Sequence, residues 1–90
     1  MKSSVVSGLW LFSQVAEHSS FTSAAKALYL TTGAISQQII QLEELLGFTL
    51  FERHSRGIRL TPKGMQLSQS TQFHFSELGK TLEELSLIHI

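Results

Sequence analysis

The side chains best suited to recognition chemistry fall in two short runs. The first is Thr32-Gly33 with Ser36-Gln37: hydroxyls, a glycine and an amide spaced to share one face near the start of a helix. Short hydroxyls and amides hydrogen-bond base edges, and a bare glycine lets a backbone lie close to a duplex. The second run is basic. Residues 50–64 carry Arg53, Arg56, Arg59 and Lys63 against Glu52, whereas the segments on either side are net acidic. A formal net charge of zero therefore conceals a cluster able to bind phosphate. Taken alone, Ser36 and Gln37 read first as solvated helix surface, and only the wing and the motifs linked to it favour base contact. Arg53 is evenly balanced between a side chain folded back on its own domain and a phosphate contact. Arg56, at a polar tip, has few intramolecular partners within reach, which favours an outside contact. Arg59 alternates in a strand and falls on its outer surface.

These residues need elements to position them. Ala24, Ala25 and Leu28 make a buried stripe on a short helix, with Thr22 as its N-cap. Tyr29 to Thr32 interrupts the pattern, and Thr31 is a second candidate cap. A longer stripe of Ile35, Ile39, Leu42 and Leu46 follows, ending at Gly47 in the position of a helix-terminating glycine. Two helices joined by a tight turn, the second with an uncharged polar N-terminal face, form a helix-turn-helix pattern. A cap at a helix start can also meet a phosphate, because free N–H groups and the helix dipole point there.

Before this pair, residues 4–17 repeat Val5, Leu9, Phe12 and Val15 or Ala16 at helical spacing, widened by Trp10 and Leu11 so that two faces are buried. His18 to Ser20 ends that helix, and Phe21 is a core anchor ahead of the next cap. After Gly47, Phe48–Phe51 and Gly57–Leu60 read as two strands about a turn of His54-Ser55-Arg56-Gly57, a β-hairpin or wing. Thr61 caps a last helix with Pro62 in its first position. Along that helix Phe75, Leu78, Leu82 and Leu85 form a heptad-like seam. So narrow a stripe favours packing on a second copy over packing on its own domain.

Composition excludes other chemistries. A chain of 90 residues, 42% hydrophobic with one proline, is one small globular domain. It has no cysteine, so no disulfide framework or thiolate metal site, which fits a reducing compartment. His18, His54, His74 and His89 share no ligand spacing, so no metal site is expected. No catalytic set and no glycine-rich phosphate loop is present, so neither an enzyme nor a cofactor is expected. Without a membrane-length apolar run or a signal peptide, a cytoplasmic protein is expected.

With those residues placed, the chain resembles the N-terminal winged helix-turn-helix domain of LysR-type transcriptional regulators. The likeness covers residues 9–64 and rests on three linked motifs: SSFTSAAKAL (19–28), AISQQI with LEELLG (34–47) and LFERHSRGIRLTPKG (50–64). It implies an all-α (mainly helical) class: a three-helix winged helix-turn-helix domain with a two-stranded β wing, then a long linker and dimerisation helix. It also implies sequence-specific binding of double-stranded DNA by a homodimer, the recognition helix in the major groove and the wing in or near the minor groove. A small-molecule effector would act only through a C-terminal domain outside these residues. On this footing the DNA-binding residues are Thr22, Thr31, Thr32, Gly33, Ser36, Gln37, Arg53, Arg56 and Lys63, and the dimer interface is Phe75, Leu78 and Leu82. A winged helix serving only protein interaction or dimerisation is the alternative.

The chain departs from the family pattern in three places. Thr31-Thr32-Gly33 stands where Ser-Gln-Pro is usual, Gln37 where arginine is usual, and Ile40 where a basic residue is frequent. Glutamine favours adenine, whereas arginine reads guanine. Ile40 could touch a thymine methyl or be a buried edge residue, and burial is favoured. The domain division is residues 1–61 for the DNA-binding domain and 62–84 for the linker helix, with 85–90 as a non-native tail. That tail, Leu85-Ser86-Leu87-Ile88-His89-Ile90, resembles the in-frame translation of a transposon mosaic-end adapter used in sequencing libraries. The adapter is favoured over a genuine apolar continuation of the linker helix, in which Leu85 keeps the heptad.

Overall fold

A computed structural model describes residues 1–86. Four helices and a two-stranded sheet follow in the order α1 (Ser3–Val15), α2 (Phe21–Leu28), α3 (Thr32–Leu46), β1 (Phe51–His54), β2 (Gly57–Leu60) and α4 (Pro62–Ser86). The all-α class and the wing expected from the sequence are both present.

The core forms where the apolar stripes of α1, α2 and α3 converge on the start of the wing. Phe12, Ile35, Ile39, Leu42, Leu50 and Val15 are its largest fully buried side chains. Phe51, on the inner face of β1, meets Phe12 at 5.5 Å and Phe21 edge-on at 5.6 Å between ring centroids. Aromatic packing of this kind adds to the gain from area burial.

Local chemistry sets the element ends. Ser20, not Thr22, is the N-cap of α2, its side chain accepting from the Ser23 N–H at 3.0 Å. Phe21 thus lies inside the helix and extends the stripe of Ala24, Ala25 and Leu28 by one turn. Tyr29 ends α2 in the left-handed region at φ 57°, and the chain re-enters a helix three residues later, at Thr32. Thr31 caps α3, its hydroxyl accepting from the Ala34 N–H at 3.1 Å. Gly47 closes α3 with φ 83°, as its position after the stripe predicts.

Leaving α3, the chain is held by a single carboxylate. Oε2 of Glu43 accepts from the N–H of Leu50 at 2.6 Å and of Phe51 at 3.3 Å. Leu50 precedes the sheet ladder and Phe51 opens it, so the glutamate satisfies backbone N–H groups at the point where the strand begins. Glu43→Ala is expected to cost about 1.5–3 kcal/mol, the value of hydrogen bonds to a charged group. Urea denaturation is the measurement, with Glu44→Ala, an exposed neighbour, expected to be nearly silent.

The hairpin pairs Phe51 with Leu60, Glu52 with Arg59, Arg53 with Ile58 and His54 with Gly57. Its first strand therefore starts at Phe51, three residues later than Phe48, and its turn contracts to Ser55-Arg56. Only Phe51 of β1 is buried; the polar residues after it look like a turn because an isolated hairpin leaves them in water. The Ile58 N–H donates to the Ser19 carbonyl at 3.0 Å, tying the wing to the α1–α2 loop.

Thr61 and Pro62 start α4 as expected. The Thr61 hydroxyl accepts from the Gly64 N–H at 3.0 Å and donates to the Thr49 carbonyl at 2.8 Å. In its first half α4 packs on α1, where the Trp10 and Phe75 rings meet edge-on at 5.1 Å. Trp10 is not buried as the doubled stripe of α1 suggested; it remains 51% exposed. Leu85 and Ser86 continue α4, and the rest of the suggested tail, 87–90, lies outside the described residues.

Candidate nucleic-acid interface

Helix α3 turns its core stripe inward and presents the opposite side to solvent. Gly33, Ser36, Gln37, Ile40, Gln41 and Glu44 line one shallow depression there. These positions follow the three- and four-residue steps of one helix face. Thr32, Gly33 and Gln37 are exposed and Ser36 is half-buried. Nothing lies within 4 Å of where a Gly33 Cβ would be, so the start of the face is open for close approach. At its N-terminus the exposed Thr31 spends its hydroxyl oxygen as a cap acceptor and keeps its O–H to donate.

Arg53 belongs to this face as well as to the wing. Its Nη1 donates to Ser36 Oγ at 2.9 Å, and its guanidinium lies 4.8 Å above the Phe21 ring. Of the two roles open to it in the sequence, the folded-back one is thus realised within the chain. Arg53 clamps β1, α2 and α3 together while the residue as a whole stays exposed. Because Ser36 accepts from Arg53, its own hydroxyl hydrogen is left for an outside acceptor.

Ser19, His54, Ser55, Arg56, Gly57, Ile58 and Arg59 line a second depression at the wing tip. Arg56 is exposed in the two-residue turn, and Arg59 is exposed on β2. Gly57 is required for this placement. Its φ is 142°, and a Cβ there would stand 2.4 Å from the Ser19 carbonyl oxygen. His54 and Glu52 approach at 3.7 Å on the exposed side of β1.

The remaining predicted residues lie apart. Thr22 is exposed in the first turn of α2, next to the cap instead of being it. Lys63 is exposed in the first turn of α4, its ammonium 5.0 Å from the Phe48 ring centroid. Phe75 is half-buried against Trp10 of its own chain, whereas Leu78 and Leu82 are 54% and 43% exposed.

Sequence reasoning missed two members of the α3 face, Gln41 and Glu44, and weighed a third, Ile40, between thymine contact and burial. Ile40, expected at a buried edge, is 42% exposed because it stands well around the helix from Ile39 and Leu42. Gln41 and Glu44 were overlooked, although their steps of four and seven from Gln37 carried the signal. Among the described residues, no three His, Cys, Asp or Glu side chains gather as metal ligands, and no helix is long and apolar enough to cross a membrane.

A helical pair with an open polar face, flanked by a basic hairpin, defines the class: a winged helix-turn-helix. A family model described as "Bacterial regulatory helix-turn-helix protein, lysR family" matches residues 7–65. The chain belongs to that family. It is 40% identical over 78 residues to the RuBisCO operon transcriptional regulator of Allochromatium vinosum, a match spanning 86% of this chain and 24% of that protein. To the glycine cleavage system transcriptional activator of Escherichia coli (strain K12) it is 38% identical over 80 residues, 89% of this chain and 26% of the relative. The chain thus spans about a quarter of the length of these curated relatives. Among solved structures it is similar to a BenM_DBD/benA site 1 DNA complex, with 34% identity, TM-score 0.81 and coverage of 94% of this chain and 95% of the other. A CbnR_DBD-DNA complex gives 32% identity and TM-score 0.77, over 87% and 90% of the two chains.

Proposed function

We propose that this chain binds double-stranded DNA sequence-specifically, as the DNA-binding part of a LysR-type transcriptional regulator acting as a homodimer. The observation that carries this reading is the open α3 face of Gly33, Ser36 and Gln37 beside a wing whose tip arginine, Arg56, is exposed. Both similar domain structures named above are DNA complexes, which supports the same reading. In it α3 lies in the major groove, Ser36 and Gln37 meet base edges, and Arg56 meets backbone or minor groove. Thr22, Thr31 and Thr32 lie near phosphates at the helix starts, Arg53 braces Ser36, and Lys63 flanks the wing. Leu78 and Leu82, with Phe75 at their edge, pair α4 with its counterpart; residues 1–61 read DNA and 62–84 link the copies. Any effector acts through a further domain, and regulation, not catalysis, is the output.

The test is salt-dependent binding. Each phosphate contact releases counterions, so Arg56→Ala is expected to weaken binding to all duplexes and to flatten the salt slope by about one. An unchanged slope would put Arg56 off the DNA. Parent binding indifferent to salt would favour the protein-interaction alternative. Gln37→Ala is expected to shift sequence preference instead, costing about 1–3 kcal/mol at one base-pair position. Binding-site selection that returns the same motif for variant and parent would remove Gln37 from base reading.

A further inference from the structure

Ile40 is an apolar, β-branched side chain on the solvent side of α3, 42% exposed. A single exposed apolar residue is ordinary; its surroundings single this one out. It lies in one depression with Gly33, Ser36, Gln37 and Gln41, none of them charged, and with Glu44 at the far end. Facing the core, α3 uses Ile35, Ile39 and Leu42, and Ile40 stands outside that stripe. It also has weaker helix propensity than the straight-chain residues that usually cover a solvated face.

No lysine or arginine occurs anywhere in α3, TGAISQQIIQLEELL, so the helix has no cation of its own to read guanine. It offers a glutamine, whose amide matches adenine N6 and N7, and an isoleucine one turn later, whose methyls match only another apolar group. The major groove displays one such group in ordinary DNA, the 5-methyl of thymine. Residues three apart on a helix are about 4.5 Å apart along its axis, and successive base pairs are separated by about 3.4 Å. Gln37 and Ile40 can therefore address adjacent base pairs. Arg53 holds Ser36, which stands one turn before Ile40 on the same face, and so fixes the register of this surface against the wing.

We propose that Ile40 is a specificity-determining residue that reads the 5-methyl group of a thymine, so that α3 selects neighbouring A·T pairs through Gln37 and Ile40. This rests on the reading of the chain as a DNA-binding domain. Duplexes are first selected from a random library by the whole chain, and each thymine of the enriched duplex is then replaced singly by deoxyuridine. That exchange removes a methyl and leaves every hydrogen-bonding group in place. At one thymine per half-site the replacement is expected to lower parent affinity about fourfold, the equivalent of one buried methyl. For Ile40→Ala the same replacement is expected to change nothing, and the variant should melt with the parent because the side chain is outside the core. A uracil series flat at every position, or a uracil effect that persists in Ile40→Ala, overturns the assignment while leaving DNA binding intact. A library from which nothing is enriched overturns the DNA-binding reading, and the assignment with it.

Discussion

Gly64→Ala is expected to destabilise the domain by about 3 kcal/mol, at the upper end of what overpacking a filled interior costs. Gly64 is buried in the first turn of α4, where an added Cβ would stand 2.1 Å from the carbonyl oxygen of Leu50 and 3.0 Å from its carbon. Both atoms are backbone and cannot swing aside. The same oxygen accepts from the Thr61 N–H at 3.0 Å, and Leu50 is completely buried. Making room for one methyl therefore means lifting the start of α4 off the wing and breaking the junction of Thr61 with Thr49 and Leu50. Against a total stability of about 5–15 kcal/mol, typical of native domains, that loss is large. Gly79→Ala is the control: it lies in the same helix with nothing within 4 Å of its would-be Cβ. It is expected to stabilise by about 1 kcal/mol through helix propensity alone. Urea midpoints measure both, and a Gly64→Ala midpoint equal to the parent's would show that the junction can yield.

What was legible in the sequence was what depends on local periodicity and on strong punctuation. The stripe Ile35, Ile39, Leu42, Leu46 with Gly47 behind it predicts α3 to its last residue, and Thr61-Pro62 predicts the start of α4. Caps among several hydroxyls are less determined. In Ser19-Ser20-Phe21-Thr22-Ser23, any of four side chains could cap α2, and what selects Ser20 is that Phe21 must join Ala24, Ala25 and Leu28 against Phe51. The apolar period of α2 extends one turn earlier than Ala24, to Phe21. The position of β1 was not legible, because Glu43, seven residues before Leu50, decides where the chain leaves α3 and its role needs three dimensions.

The candidate site divides in the same way. Gly33, Ser36 and Gln37 were legible because one helix face carries them. Arg53 was legible only as an even choice between folding back and phosphate contact, since a side chain that spans β1, α2 and α3 gives no spacing signal. The stripe of α4 was legible as a stripe but not as to its partner. Its first half belongs to α1 within the chain, through Trp10 and Phe75. Its second half continues past them, and at about 1.5 Å per residue the 25-residue helix runs about 37 Å, more than the 27 and 21 Å of the shorter dimensions of the chain.

The chain is expected to sediment as a dimer at tens of micromolar, and Leu78→Ser with Leu82→Ser to convert it to a monomer that binds one half-site weakly. Leu78 and Leu82 are 54% and 43% exposed, so each has roughly half a side chain still to bury, worth about 1 kcal/mol by area. Four such leucines in a symmetric pair supply about 4 kcal/mol, the lower edge of what association costs in lost freedom. The leucines are therefore necessary and insufficient. In the proposed dimer the rest is expected from the apolar groove between α1 and α4, lined by Val6, Leu9, Leu67 and Phe75, with Trp10 beside it at 51% exposure. An interface so near balance responds sharply: losing 4 kcal/mol weakens association about a thousandfold. Symmetry joins the proposed assembly to reading, because a two-fold dimer would present two α3 helices to two half-sites on one DNA face. A parent chain that sediments as a monomer at those concentrations would defeat the proposal. A dimer lost only when residues 85–90 are removed would assign the assembly to that apolar end instead of to Leu78 and Leu82.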